Sequence, residues 1–210
     1  MTGGRDRRHD ADDLLAKLRG GDETAFRVLV RRHQRSMVSV AQPFVRSRST
    51  AEEVVQDTWL ALIEGLDAFE GRSSLKNWLF AILVNKARRR GAREGRVVLV
   101  ADFEREAGDD EPVVDPSRFD SAGAWSGLPS AWDDVTPERI VAGKQLLFHV
   151  QEAIDRLPPV QRSVLVMREV EHLDAAEVSS LLGVSDGNQR VLLHRARARV
   201  RDHLEKLLGT

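Results

Sequence analysis

The residues of this chain with the most chemical capacity are its arginines. "QRVLLHRARARVR", residues 189–201, carries Arg190, Arg195, Arg197, Arg199 and Arg201, and "NKARRRGAREGR", residues 85–96, forms a second basic block. A guanidinium stays charged at physiological pH and presents a planar fork of donors that fits phosphate oxygens and guanine edges. The chemistry on offer is therefore recognition of nucleic acid. Bond-making chemistry lacks its parts: the six His, at 9, 33, 149, 172, 194 and 203, recur at no metal-ligand spacing, and neither a Gly-rich phosphate loop nor a nucleophile motif accompanies them. The sequence predicts no catalytic residue, no metal, no cofactor and no enzymatic activity.

Composition narrows the classes further. The chain has 210 residues and no Cys, so disulfides and thiolate sites are excluded. The N-terminal "MTGGRDRRHDADD" is charged where a secretion signal needs an apolar core, and no apolar run reaches the length of a membrane span, which predicts a cytoplasmic protein with no membrane contact of its own. The net charge of -1 conceals an asymmetry. Residues 97–140 hold eleven acids against three Arg, which leaves about seven positive charges in excess elsewhere.

The elements that must position the arginines read as helices. Asp22 caps a helix with Ala25, Phe26, Leu29 and Val30 on its apolar face, ending near Pro43. Thr50 and Glu53 have the spacing of a capping box, and Val55, Trp59, Leu62, Ile63 and Leu66 make a buried stripe. Ser73 or Ser74 opens a third helix with Leu75, Trp78, Leu79, Ile82 and Leu83 inward. Residues 97–136 mix Pro, Gly, Ser and Asp with Trp125 and Trp132 and no sustained period, which reads as a flexible acidic linker. Thr136 caps a helix beginning at Pro137 and running to about Leu157, before a break at Pro158 and Pro159. The fold class expected is all-α, with two small helical domains over residues 1–96 and 137–210.

The last part has a sharper signature. Asp174 and Glu177 form a capping box for a short helix with Val178, Leu181 and Leu182 inward; Gly183 ends it in the left-handed conformation, Val184 plugs the corner, and Ser185 caps the next helix. This is a helix-turn-helix, whose second helix enters a major groove. Leu193, Ala196, Val200, Leu204 and Leu207 form its buried stripe, leaving Arg190, His194, Arg195, Arg197 and Arg201 largely outside it.

"TAEEVVQDTWLALIEGLDAFEGRSSLKNWLFAILVNKARRR", residues 50–90, resembles region two of the extracytoplasmic-function sigma factors of bacterial RNA polymerase. "LPPVQRSVLVMREVEHLDAAEVSSLLGVSDGNQRVLLHRARARVR", residues 157–201, resembles their region four. The resemblance implies a transcription initiation factor that binds core polymerase and promoter DNA, as duplex and as non-template single strand, with an anti-sigma factor as a further partner. It implies polymerase contacts at Glu53, Gln56 and Asp57, and minus-ten contacts at Gly71, Arg72, Ser73, Asn85, Lys86, Arg88 and Arg89. Minus-thirty-five contacts are implied at Ser185, Asn188, Arg190, Val191, His194, Arg195 and Arg197. Val191 and Leu192 depart from the family, which has polar residues there; apolar side chains at these places would meet thymine methyl groups or the linker. The resemblance also implies that the linker threads the polymerase active-site cleft. A free-standing regulator that uses the N-terminal domain for dimerisation or ligand sensing is the competing reading, and it requires a symmetric pair of half-sites and duplex binding without polymerase.

Overall fold

In a computed structural model of the chain, residues 13–95 and 137–208 are described; the acidic linker and its two Trp lie outside them. A short helix at residues 13–19 (α1) precedes α2 (Glu23–Ala41), α3 (Arg48–Gly65) and α4 (Leu75–Arg93). After the linker come α5 (Pro137–Arg156), α6 (Pro159–Leu165) with a π-helical continuation at Val166–Val170, α7 (Ala175–Leu182) and α8 (Asp186–Leu208). Among the described residues there is no strand. The fold is all-α, as expected.

Local chemistry sets most boundaries. Asp22 accepts from the backbone N–H of Thr24 (2.8 Å) and Ala25 (3.0 Å) and starts α2; Ser74 accepts from Asn77 N–H (3.1 Å) and starts α4. The Asp174–Glu177 capping box is complete, at 2.7 and 2.9 Å. Gly183, at φ 67°, ends α7 with its own N–H on Ser179 O, and the Val184 N–H reaches the same carbonyl. The start of α3 differs from the expectation. Ser47 is its cap, accepting from Thr50 N–H at 3.1 Å, while Thr50 is buried and Glu53 pairs with Arg90. Ser47 wins because its backbone is extended, as a cap requires, whereas Thr50 already lies within the helix.

The first half packs α2, α3 and α4 around Met37, Phe44, Leu62, Phe80 and Leu83, and the second packs α5 to α8 around Met167, Leu173, Leu182 and Leu192. Leu192 is therefore core, completely buried, because it falls four residues, about one turn, before Ala196 on the inner side of α8; of the two, only Val191 faces out. Gln189 is also buried. Ile63, expected in the α3 stripe, is 50% exposed, since Ala51, Val54, Val55, Thr58, Trp59 and Leu62 already fill the inner face. Leu207 is also exposed, near the end of α8.

The two halves pack directly on each other. The C-terminal half of α2 lies against α6 and the π segment, and one apolar cluster runs through both halves. Ser163 Oγ donates to Ser39 O (3.1 Å), Arg35 pairs with Asp155 (2.6 Å), and Lys76 Nζ donates to Glu171 O. The wide π turn, with Glu171 N–H on Val166 O at 2.9 Å, puts the Glu171 side chain within reach of α2.

Candidate nucleic-acid and protein interfaces

Three groups of exposed residues sit on three different elements. On α3, Glu53, Gln56 and Asp57 are all exposed and, at spacings of three and four, share one face. Leu60 continues that face by one turn and is 60% exposed. The sequence reading missed it, although its offset of seven from Glu53 would have placed it there. Glu53 Oε2 accepts from Arg90 Nη2 at 2.8 Å, and Arg90 Nε donates to Glu94 at 2.9 Å. Arg90 is thus held by two carboxylates and ties the α3 face to the C-terminal end of α4. The hydrogen bond from Arg90, reinforced by one from Arg46 N–H, holds the Glu94 carboxyl below its ordinary range against desolvation.

The second group comprises the loop before α4 and the outer face of that helix. Gly71, Arg72 and Ser73 are exposed at the loop tip, where Gly71 has φ 72° and Arg72 pairs with Glu70 at 3.1 Å. A positive φ is a conformation that glycine adopts at no steric cost. Asn85, Arg88 and Arg89 are exposed at spacings of three and four, and Lys86 is half-buried beside them. The Arg88 guanidinium lies 5.5 Å from the centroid of the buried Phe44 ring, and its desolvation lowers its pKa. The ring fixes the base of that side chain's cation on the helix surface. Trp78 is half-buried, stacked on Phe69 at 4.7 Å, and packs against the core as the sequence suggested.

The third group is on α8, which α5, α6 and α7 hold from behind. Ser185 and Arg190 are exposed, and the Ser185 hydroxyl accepts from Asn188 N–H at 3.2 Å. The Asn188 amide has both its Oδ1 and Nδ2 buried without a hydrogen-bond partner. Val191 is 41% exposed. His194 and Arg195 are half-buried, and Arg197 reaches back to Glu169. Desolvation, then the positive charges of Arg197 and Arg195, lower the His194 pKa below its ordinary value. Arg195 and Arg197 thus place positive charge beside His194, of the sign that suits an anion.

Comparison with known proteins decides what these surfaces belong to. The chain matches the family described as Sigma-70 region 2 over residues 29–97 and that described as Sigma-70, region 4 over residues 147–200, together more than half of its length. The chain belongs to the extracytoplasmic-function sigma factors. Similar relatives are the ECF RNA polymerase sigma-E factor of Escherichia coli (strain K12), 27% identical over 195 residues covering 93% of this chain and 94% of that one, and the RNA polymerase sigma-H factor of Pseudomonas aeruginosa, with the same identity and coverage. Two solved structures align over nearly the whole chain. CnrH in complex with the cytosolic domain of CnrY has 22% identity and a TM-score of 0.46, covering 93% of this chain and 97% of that one. The sigma factor RpoE in complex with the anti-sigma factor NepR, from Bartonella quintana, has 18% identity and a TM-score of 0.45, covering 96% and 98%. The protein is an RNA polymerase sigma factor: it binds core polymerase and directs promoter-specific initiation of transcription, a regulatory role in a family of non-enzymatic factors. No described helix of this sigma factor is long and apolar enough to cross a membrane.

Proposed function

We propose that the three exposed groups divide the work of initiation. Residues 1–96 form the polymerase-docking and minus-ten domain, residues 97–136 a connecting linker, and residues 137–210 the minus-thirty-five domain. Glu53, Gln56 and Asp57 dock on the polymerase, with Leu60 as the apolar anchor between polar neighbours, the mix that protein interfaces favour. Gly71, Arg72 and Ser73 receive the flipped non-template base, Asn85 reads a base edge, and Lys86, Arg88 and Arg89 neutralise the strand's phosphates. Ser185, Asn188, Arg190, Val191, His194, Arg195 and Arg197 meet the minus-thirty-five duplex, Val191 through thymine methyl groups.

The observation that carries this reading is the exposed set Ser185, Arg190 and Val191 at the start of α8, a helix held from behind by α5, α6 and α7. The chain itself makes and breaks no bond in this scheme, and it acts in the cytoplasm, where the polymerase is. An anti-sigma factor is a further protein partner in the proposal, competing for one of these surfaces. The test is a gel-shift series on one promoter duplex with the chain alone, core polymerase alone, and both together. Specific retardation in the third lane only supports the scheme. A specific, symmetric complex with the chain alone supports a free-standing regulator instead.

A further inference from the structure

Arg19 lies before the first residue of the Sigma-70 region 2 match, on a helix that the sequence reading did not anticipate. It sits at the end of α1, where Leu18 is buried in the core and the chain turns through Gly21, at φ 75°, into α2. Its guanidinium crosses to the far end of α3. Nε donates to Leu66 O at 3.1 Å and Nη2 to Phe69 O at 2.6 Å. Leu66 caps α3, at the negative end of the helix dipole, where a cation is favoured, and Phe69 lies three residues beyond it. Charge-assisted bonds of this kind are the stronger ones.

The clamp is aimed at one feature. Leu66 and Phe69 begin the connection to α4, and past them the tip from Glu70 to Ser74 is exposed. On the other side of the tip, Trp78 stacks on Phe69 with an interplanar angle of 30°. The indole also fills the space beside Gly65, where a Cβ would stand 3.1 Å from Trp78 Cζ2. The base of the loop is therefore fixed by Arg19 from one helix and by the Phe69–Trp78 stack from another, while its tip is open. Preorganised loops lose less entropy when they bind.

We propose that Arg19 is a positioning residue for strand opening: it holds Leu66 and Phe69 so that the tip at Gly71–Ser73 is already shaped to receive an unstacked base. This rests on the reading of that tip as the minus-ten loop. Arg19 touches neither polymerase nor DNA in this scheme. It acts through the loop.

The experiment uses holoenzyme made with Arg19→Met, Arg19→Lys and Arg72→Ala, measuring core affinity, closed-complex affinity and permanganate reactivity of unpaired thymines. The expected result for Arg19→Met is unchanged core and closed-complex affinity with roughly tenfold slower appearance of reactive thymines, the scale of one lost charged hydrogen bond. Arg19→Lys, which can still reach one carbonyl, recovers part of the rate. A purely architectural residue would lower all three readouts together with the thermal midpoint and gain nothing specific from Lys; that outcome overturns the proposal. So does wild-type opening by Arg19→Met while Arg72→Ala opens slowly. If both variants open at the wild-type rate, the reading of the loop itself falls, and the proposal with it.

Discussion

His33 Nδ1 and Glu171 Oε2 meet at 2.7 Å across 138 residues of chain, with side chains only 8% and 3% exposed. This is a buried link between two ionisable side chains of the two halves, set beside the Phe80 ring, which His33 meets edge-on at 6.4 Å. Removing one partner of such a pair strands the other in a low dielectric. Glu171→Ala is expected to cost about 3 kcal/mol and to let the halves separate. A lower thermal midpoint and a larger radius of gyration by small-angle scattering check this; unchanged values for both contradict it.

The same link makes the packing of the halves acid-sensitive. Burial opposes the Glu171 carboxylate, but hydrogen bonds from His33 and Ser36 and the charges of His33 and Lys76 outweigh it and hold the carboxyl below its ordinary 4.5. Desolvation lowers the Lys76 pKa in turn, opposed by Glu171 and Glu177 and reinforced by Arg32. A depressed carboxyl contributes stability that is present above its unfolded pKa and lost as pH falls through the folded value. Glu171→Gln, with no carboxyl to protonate, should therefore show a shallower loss of stability below pH 4.5 than the wild type. Superimposable acid transitions would remove Glu171 from the account.

On α3, Asp57→Arg reverses an exposed charge and is expected to weaken core-polymerase binding at least about tenfold while changing fold stability by no more than roughly 0.5 kcal/mol. Leu60→Ser should weaken binding as well. Fluorescence anisotropy of labelled protein with core enzyme measures the first effect and chemical denaturation the second. Full affinity in both variants would place the docking face elsewhere.

The DNA-facing groups should separate kinetically. Asn85→Ala is expected to slow the opening of the minus-ten element and to spare the closed complex, whereas Arg190→Ala weakens the closed complex by about 1–3 kcal/mol if it reads a guanine. Footprinting before and after opening distinguishes them. Equal loss of the closed complex in both variants defeats the division.

His194 offers a pH signature. Its pKa is lowered in the free protein by desolvation and by Arg197 and Arg195, and a phosphate approaching that cluster raises it again. A group whose pKa rises on binding takes up a proton, so duplex affinity should increase as pH falls through the bound-state value. His194→Ala should flatten that slope in holoenzyme titrations at fixed salt.

The local signals were legible in the sequence. Asp22, Ser74, the Asp174–Glu177 box and Gly183 announce helix ends because a cap is decided by a residue and its next three neighbours. Ser47 was missed in favour of Thr50 since both can cap, and only the backbone conformation chooses between them. Leu192 and Ile63 were misplaced because a helix stripe drifts with the 3.6-residue period and its edges depend on what packs opposite. The helix at residues 13–19, the π turn and the His33–Glu171 link were not legible at all: the first is short, the second follows from packing, and the third pairs residues that no local pattern connects. Of the candidate site, the exposed polar positions could be read from spacing and resemblance. The engagement of Arg90 with Glu53 and Glu94, and of Arg197 with Glu169, could not.

Mapping RNA start sites is the most direct test of the central claim that this chain gives promoter specificity to core polymerase. Transcription of genomic DNA with core polymerase and the purified chain should yield a discrete set of RNA 5′ ends that core alone does not produce. Asp57→Arg, Asn85→Ala and Arg190→Ala should each deplete that set. Start sites identical with and without the chain would contradict the account.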